Sequence, residues 1–335
     1  MTGPHPAIAA TRAAVRKALR QIEEINPGGL VLVGCSGGAD SLALAAAVAF
    51  EAPRADLSAG AVIVDHGLQE ESSAVAERAA DQCRSLGLDP VEVVMVQVGS
   101  SGSGSGSGSG PEARARDARY AAFEEVVERF DAVAVLLGHS RDDQAEQVLL
   151  GLARGSGARS LSGMPAWRGP YVRPLLGVAR ATTVAACKAA GLTAWVDPQN
   201  SDLAYGRVRA RGLLPVLETE LGPGTVAALA RSADLLRQDA DALDGLAAQA
   251  RAELGQGQIE AAVLLRLPKA IRTRVWRLLA LEAGCSPGAL ISTHIDSLDT
   301  LVTGWRGQGP IDLPGHVQGS RSDGRVLVAA VRQVE

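Results

Sequence analysis

The chain has 335 residues, 47% of them hydrophobic but only 3% aromatic, and a formal net charge of −4. Such a length points to two domains of roughly 100–200 residues each, with cores built mainly from Ala, Val and Leu. No apolar run reaches the ~20 residues of a membrane span. The N-terminus lacks a basic-then-apolar leader pattern, and Cys35, Cys83, Cys187 and Cys285 form no C-x-x-C pair. A membrane protein, a zinc ribbon, an Fe–S protein and a disulfide scaffold are therefore disfavoured, and a cytoplasmic location is expected.

In chain order, residues 11–25 alternate apolar and charged positions at helical spacing, and Asn26-Pro27-Gly28-Gly29 stops that helix. Residues 30–35 are a short continuous apolar run, as in a strand buried on both faces. Further strands are predicted at 61–65, 91–98 and 132–138, with a short fifth at 171–176. Helices are predicted at 40–50, 72–86, 112–130, 142–154 and 181–190. Strands alternating with helices imply an α/β fold: a doubly wound, Rossmann-like parallel sheet covered on both faces. In such sheets ligands bind at the carboxyl ends of the strands.

Near Leu214-Pro215 the pattern changes. Residues 223–254 read as one long amphipathic helix, 268–304 as helical again, and 310–334 as small strands. The expected organisation is a catalytic domain over 1–215, then a linker helix with a smaller, mainly helical domain over 216–335. Residues 99–110 read GSSGSGSGSGSG, a flexible coil by composition, placed as a loop after the third strand. Its position at the carboxyl end of a strand fits a lid.

Charge is unevenly spread. Residues 51–150 carry 8 basic and 18 acidic side chains, whereas 151–211 carry 9 basic and 2 acidic. A basic segment of this kind marks either a polyanion-binding face or a set of solvated helix faces.

The sharpest chemical signal is Ser36-Gly37-Gly38-Ala39-Asp40-Ser41, set between a buried strand and a helix. Glycines permit a tight turn and close approach of a ligand. Exposed amides at the helix start then form an anion site, with the hydroxyls of Ser36 and Ser41 as added donors. Asp40 would repel a phosphate unless a cation lies between them, which implies Mg²⁺. The loop fits neither G-x-x-x-x-G-K-[ST] nor G-x-G-x-x-G.

This hexapeptide resembles the pyrophosphate-binding (PP) loop of the N-type ATP pyrophosphatases, which cleave ATP between its α and β phosphates. Three further stretches narrow the resemblance: Asp65-His66-Gly67-Leu68, then Gly138-His139-Ser140-Arg141-Asp142-Asp143-Gln144-Ala145-Glu146 running on to Arg154-Gly155-Ser156-Gly157, and Asp197-Pro198-Gln199-Asn200 followed by Tyr205, Arg207, Arg209 and Arg211. Their order and wording are similar to the tRNA(Ile)-lysidine synthetases over most of residues 30–215. The tail from Asp299 through Trp305 to Pro310 is similar to that family's small substrate-binding domain.

The resemblance implies an ATP-dependent ligase. It would join L-lysine to C2 of the wobble cytidine in a CAU-anticodon tRNA(Ile), through an adenylated cytidine. On that basis Ser36 to Ser41, with Asp65 and His66, are expected at ATP. Asp40, His139, Asp143 and Arg154 are expected to be catalytic, with Asp40 and Asp143 near Mg²⁺. Asp142, Glu146, Asn200, Arg207, Arg209 and Arg211 are expected at lysine or tRNA. Family members are often dimers, so a homodimer is a further expectation.

Each residue also has a plainer reading. Asp142 and Asp143 would favour a helix N-terminus in any protein. His66 and His139 could be packed core residues, Arg154 a helix C-cap, and the 207–211 arginines a solvated face. Cys35 reads as buried filler. Arg272, Arg274, Arg277, Trp276 and Trp305 read either as an RNA face or, preferably, as helix surface with core aromatics. Three other functions stay open at this level: a tRNA cytidine thiolase, disfavoured by the missing C-x-x-C; a small-molecule ligase; and a non-catalytic ATP- and RNA-binding module.

Overall fold

The continuous apolar runs do form the expected parallel sheet. A computed structural model describes residues 3–67, 71–96, 111–198 and 202–331. The Gly/Ser stretch 99–110 and Asn200 lie outside the described residues. Two compact units divide the chain, Met1–Leu236 and Arg237–Glu335.

The first unit opens with helix α1 (Pro6–Ile25), then β1 (Leu30–Gly34), α2 (Ala39–Glu51), β2 (Ser58–Asp65), α3 (Ser72–Ser85) and β3 (Val91–Met95). It continues with α4 (Pro111–Phe130), β4 (Ala132–Leu137), α5 (Arg141–Ala153), the single turn α6 (Ala158–Leu161), β5 (Trp167–Arg168), β6 (Tyr171–Val172) and α7 (Arg180–Ala189). Helix α8 (Gly206–Glu220) follows, and α9 (Thr225–Glu253) begins in the first unit and ends in the second.

The sheet order is β3-β2-β1-β4-β6-β5. All pairs are parallel except β5 with β6. Alternate residues of β1 face opposite sides. Val31 and Val33 pack with α1, α2 and α3, while Leu32 packs with Phe123 and Val126 of α4. The low aromatic content has a structural counterpart in α2, whose buried face is mostly Ala and Leu.

Sequence and structure differ in places. The fifth strand is only two residues long, because Pro174 has no amide to extend the ladder. Its partner β5 carries no periodic signal at all. Helix α8 runs through Pro215, where the composition shifts, at the loss of one intrahelical hydrogen bond. Glu218 then caps α9, accepting from the amides of Gly224 at 2.6 Å and Val226 at 2.8 Å.

In the second unit the helical stretch 268–304 is two helices, α11 (Lys269–Glu282) and α12 (Ser292–Thr303), separated by a segment containing Gly284, Pro287 and Gly288. Before them come β7 (Ile259–Glu260) and α10 (Ala261–Arg266). Strands β8 (Ile311–Leu313), β9 (Val317–Ser322) and β10 (Arg325–Ala330) complete an antiparallel sheet of order β7-β10-β9-β8. Asp323 and Gly324 both have positive φ, the requirement of the two-residue hairpin turn joining β9 to β10.

Arg272 pairs with Asp299 through hydrogen bonds of 2.6 and 3.0 Å, and Trp276 Nε1 donates to the same carboxylate at 3.1 Å. All three are buried, so Trp276 and Arg272 are core residues and not an RNA face. Arg274 pairs with Asp244, and Arg277 donates to the carbonyls of Leu290 and Pro287. The guanidinium of Arg321 lies 5.3 Å from the centre of the Trp305 ring. Among the described residues, no helix is long and apolar enough to cross a membrane.

Candidate active site

Strand order reverses between β1 and β4. Chain growth from β1 runs to β2 and β3 on one side, while β4 and β6 lie on the other. The carboxyl ends of β1 and β4 therefore flank the crevice where such sheets bind ligands. The Ser36–Ser41 loop leaves β1 there, and His139 to Asp143 leave β4 beside it.

The loop is held by its own hydroxyls. Ser41 Oγ accepts from the Ser36 amide at 3.1 Å, donates to the Gly38 carbonyl at 2.9 Å and lies 3.3 Å from Ser36 Oγ. The Ser41 hydroxyl is thus committed to loop geometry and is not a free ligand donor. Gly37 has φ +76°, a conformation that favours glycine, and its carbonyl accepts from the Trp195 amide at 2.9 Å. Gly38 precedes α2 as its N-cap, so the amides of Ala39 and Asp40 open the helix without intrahelical acceptors. Cys35 is buried beneath, with Sγ 3.7 Å from Ser41 Oγ.

Asp40 sits in the first turn of α2. Burial pushes its carboxyl above the ordinary carboxylate range, against the hydrogen bond from the Thr183 hydroxyl and the charge of Arg180. A further cation beside it would therefore be favourable.

Helix α5 opens with Ser140 as N-cap. Asp143 Oδ2 accepts from the Ser140 amide and hydroxyl, both at 2.7 Å, closing a capping box. Its other oxygen accepts from Arg180 at 2.6 Å. Burial alone would raise Asp143; Arg180 and the Ser140 donors overcome it and hold the carboxyl below its usual value. Glu146, one turn on and fully buried, accepts from Arg180 at 2.9 Å and from Arg211 at 2.8 Å. Asp142 points elsewhere: its Oδ2 accepts from the Arg180 amide at 2.8 Å and anchors the start of α7.

His139 is largely enclosed, and its Nδ1 has no partner among the described residues. Burial lowers its pKa to about 4; Asp143 opposes this, while Arg173, Arg207 and Arg116 reinforce it. The imidazole is neutral at neutral pH.

The other expected residues are more dispersed. Asp65 accepts from the Gly67 amide at 2.9 Å and from Ser73 Oγ at 2.7 Å, so both its oxygens shape the turn after β2. His66 lies 3.3 Å from the Arg119 guanidinium. Arg154 is exposed at the end of α5. Arg209 donates to its own loop at the Ala204 carbonyl, 2.9 Å.

Sequence reasoning missed Arg180, Thr183 and Arg173 as individuals, counting the two arginines only within the basic segment. Arg173 is buried and donates to the Pro165 carbonyl at 3.0 Å and to Tyr120 Oη at 3.2 Å.

A Mg²⁺ ion fits this site through Asp40, whose burial is under-compensated. Asp143 fits less well: Ser140 and Arg180 occupy its two oxygens at 2.7 and 2.6 Å, whereas Arg180 Nε stands 3.5 Å from Asp40 Oδ2. Among the described residues, no group of three His, Cys, Asp or Glu side chains is placed to hold a metal ion by itself. One carboxylate plus phosphate oxygens is nonetheless a usual Mg²⁺ environment.

A parallel sheet of this order, with Ser-Gly-Gly-x-Asp-Ser at the reversal, defines a PP-loop domain, and the model of that domain matches residues 11–217. The TilS substrate binding domain matches residues 260–327. The tRNA(Ile)-lysidine synthase of Thermobifida fusca is 56% identical over 333 residues, covering 98% of this chain and all of that one. That of Streptomyces coelicolor is 53% identical over 355 residues, covering 97% and 99%. The chain belongs to the tRNA(Ile)-lysidine synthase family. Among solved structures, the U34-tRNA thiolase NcsA from Methanococcus maripaludis shares the fold, with a TM-score of 0.56 and 19% identity over 69% of this chain and 80% of that one.

Proposed function

We propose that the protein ligates L-lysine to C2 of the wobble cytidine of a CAU-anticodon tRNA(Ile), converting ATP to AMP and pyrophosphate. The family membership supports the reaction. The observation that carries the site assignment is a charge imbalance at the switch point. Asp40, Asp143 and Glu146 carry three negative charges against two from Arg180 and Arg211. Carboxylates that outnumber the guanidinium groups paired with them favour a bound cation.

In the first step O2 of the cytosine attacks the α-phosphorus and pyrophosphate leaves. The loop from Ser36 to Ser41 receives the phosphates through the free amides that open α2. Mg²⁺, when bound, offsets phosphate charge that Asp40 would otherwise repel. In the second step the ε-amine of lysine attacks C2 and the C2–O bond to AMP breaks. Asp143 and Glu146 hold the ammonium; the amine attacks as its free base, and neutral His139 can accept the second proton, which becomes acidic as the C–N bond forms. Arg154, Arg207 and Arg209 belong to the basic segment that meets the tRNA, and Asn200 is assigned to the same contact from its motif alone. We assign adenylation to residues 1–215 and further tRNA contacts to 216–335.

All four cysteines are buried and free. None offers an accessible thiol for sulfur transfer, which favours lysine over a thiolase reaction. The test is incubation with ATP, labelled lysine and unmodified CAU-anticodon tRNA(Ile). Label should enter the tRNA with one AMP released per lysine. AMP release without label in the tRNA would refute the assignment.

A further inference from the structure

Arg180 is the first residue of α7, and its guanidinium reaches three carboxylates from two other helices. It donates to Asp143 at 2.6 Å and to Glu146 at 2.9 Å, and its Nε stands 3.5 Å from Asp40 Oδ2. The acids are separated by more than 100 residues in sequence, Asp40 opening α2 and the other two lying on α5. Thr183, one turn along α7, donates to the other oxygen of Asp40. Asp142 fixes the α7 start by accepting from the Arg180 amide. A single short helix thus holds both the acid that faces the phosphates and the acids proposed to face the amine.

We infer that Arg180 is a positioning residue for both steps of the reaction: its guanidinium couples Asp40 of the phosphate loop to Asp143 and Glu146 of α5, so that the two half-sites keep one fixed spacing. The chemistry requires that spacing, because the C2 carbon whose O2 is adenylated at the loop must lie within attacking reach of the amine. Misplacement of about 1 Å can cost on the order of 100-fold in rate. A planar guanidinium presents donors in a fixed fork and can serve three carboxylates at once; an ammonium on a flexible stem cannot. Arg211 does not replace it: it bonds Glu146 at 2.8 Å but comes no nearer to Asp143 than 4.0 Å.

The inference rests on the reading that Asp143 and Glu146 receive the lysine amine, but part of its test does not. Arg180→Ala and Arg180→Lys would be compared with the intact enzyme for tRNA-dependent pyrophosphate release without lysine, and for lysine transfer from pre-adenylated tRNA. Unfolding temperature would be followed in parallel. Arg180→Ala should lower pyrophosphate release at least tenfold and transfer at least 100-fold, and raise the KM for lysine. Arg180→Lys should recover little of either. Millimolar guanidinium or methylguanidinium should restore a measurable part of both rates to Arg180→Ala, an effect that a merely structural role would not produce. Rates within twofold of the intact enzyme in Arg180→Ala would overturn the inference. So would a loss that follows the unfolding temperature and ignores added guanidinium. If the intact enzyme transfers no lysine, the functional reading fails, while the variant-to-intact ratio of pyrophosphate release still decides the coupling at Asp40.

Discussion

A methyl group on Gly138 would stand 3.0 Å from both the Cα and the backbone nitrogen of Ser41. The end of β4 therefore abuts the first turn of α2 with no space for a side chain, and the neighbour is backbone that cannot rotate away. Gly138→Ala should cost about 1–3 kcal/mol of stability, as overpacking does, and should lower pyrophosphate release by displacing the loop amides. Urea unfolding and a pyrophosphate assay would check both; unchanged values would mean that the end of β4 and the first turn of α2 separate freely.

Asp40→Asn should separate function from stability. A carboxyl raised by burial binds its proton more tightly in the folded chain, so its stabilising contribution is present below the unfolded value of about 3.9 and is lost as pH rises through the folded one. At neutral pH the ionised group is a liability. The variant should lose adenylation while its Tm holds or rises by about 1–3 °C. A clear fall in Tm would show that the Thr183 hydrogen bond outweighs the burial penalty.

Asp143 behaves with the opposite sign. Its folded pKa is depressed, so its contribution is present above about pH 3.9 and lost as pH falls through the lower folded value. Asp143→Asn should destabilise the protein at pH 7, with about 1 kcal/mol from the lost cap alone. The gap between variant and intact protein in urea unfolding should close on acidification. A gap that widens would contradict the depressed value.

His139, lowered to about 4, should contribute no break near pH 6.5 to the transfer rate. The rise of rate with pH should follow the free lysine amine. His139→Gln should reduce transfer by about 10²–10⁴-fold if it accepts the proton. A break near 6.5 that disappears in the variant would place His139 in a wetter setting than its enclosure indicates.

Asp299→Ala tests the second unit. It would strand the Arg272 guanidinium and the Trp276 N–H in the core. Breaking one side of such a pair costs about 3–5 kcal/mol. Loss of the buried Trp276 fluorescence signature at lower urea concentration would report it.

The four long strands, the phosphate loop and the acidic helix start were legible because each is a local pattern: a continuous apolar run, a Gly/Ser turn, a pair of acids after a His. Strand β5 was not, since two exposed residues, Trp167 and Arg168, carry no period. Arg180 was hidden for a different reason. Its partners lie 34 to 140 positions away, and nothing in the sequence around it marks it apart from other arginines. Trp276 shows the converse. Its spacing from Arg272 suits an RNA face and a buried ion pair equally, and only the position of Asp299 on the next helix decides.

The capping box of α5 gives one carboxylate two duties. Asp143 starts the helix with one oxygen and holds the guanidinium of Arg180 with the other. A chain whose α5 has frayed at its first turn has therefore also loosened the carboxylate that holds Arg180. Heat or denaturant should silence the enzyme through that local opening before the sheet beneath it melts.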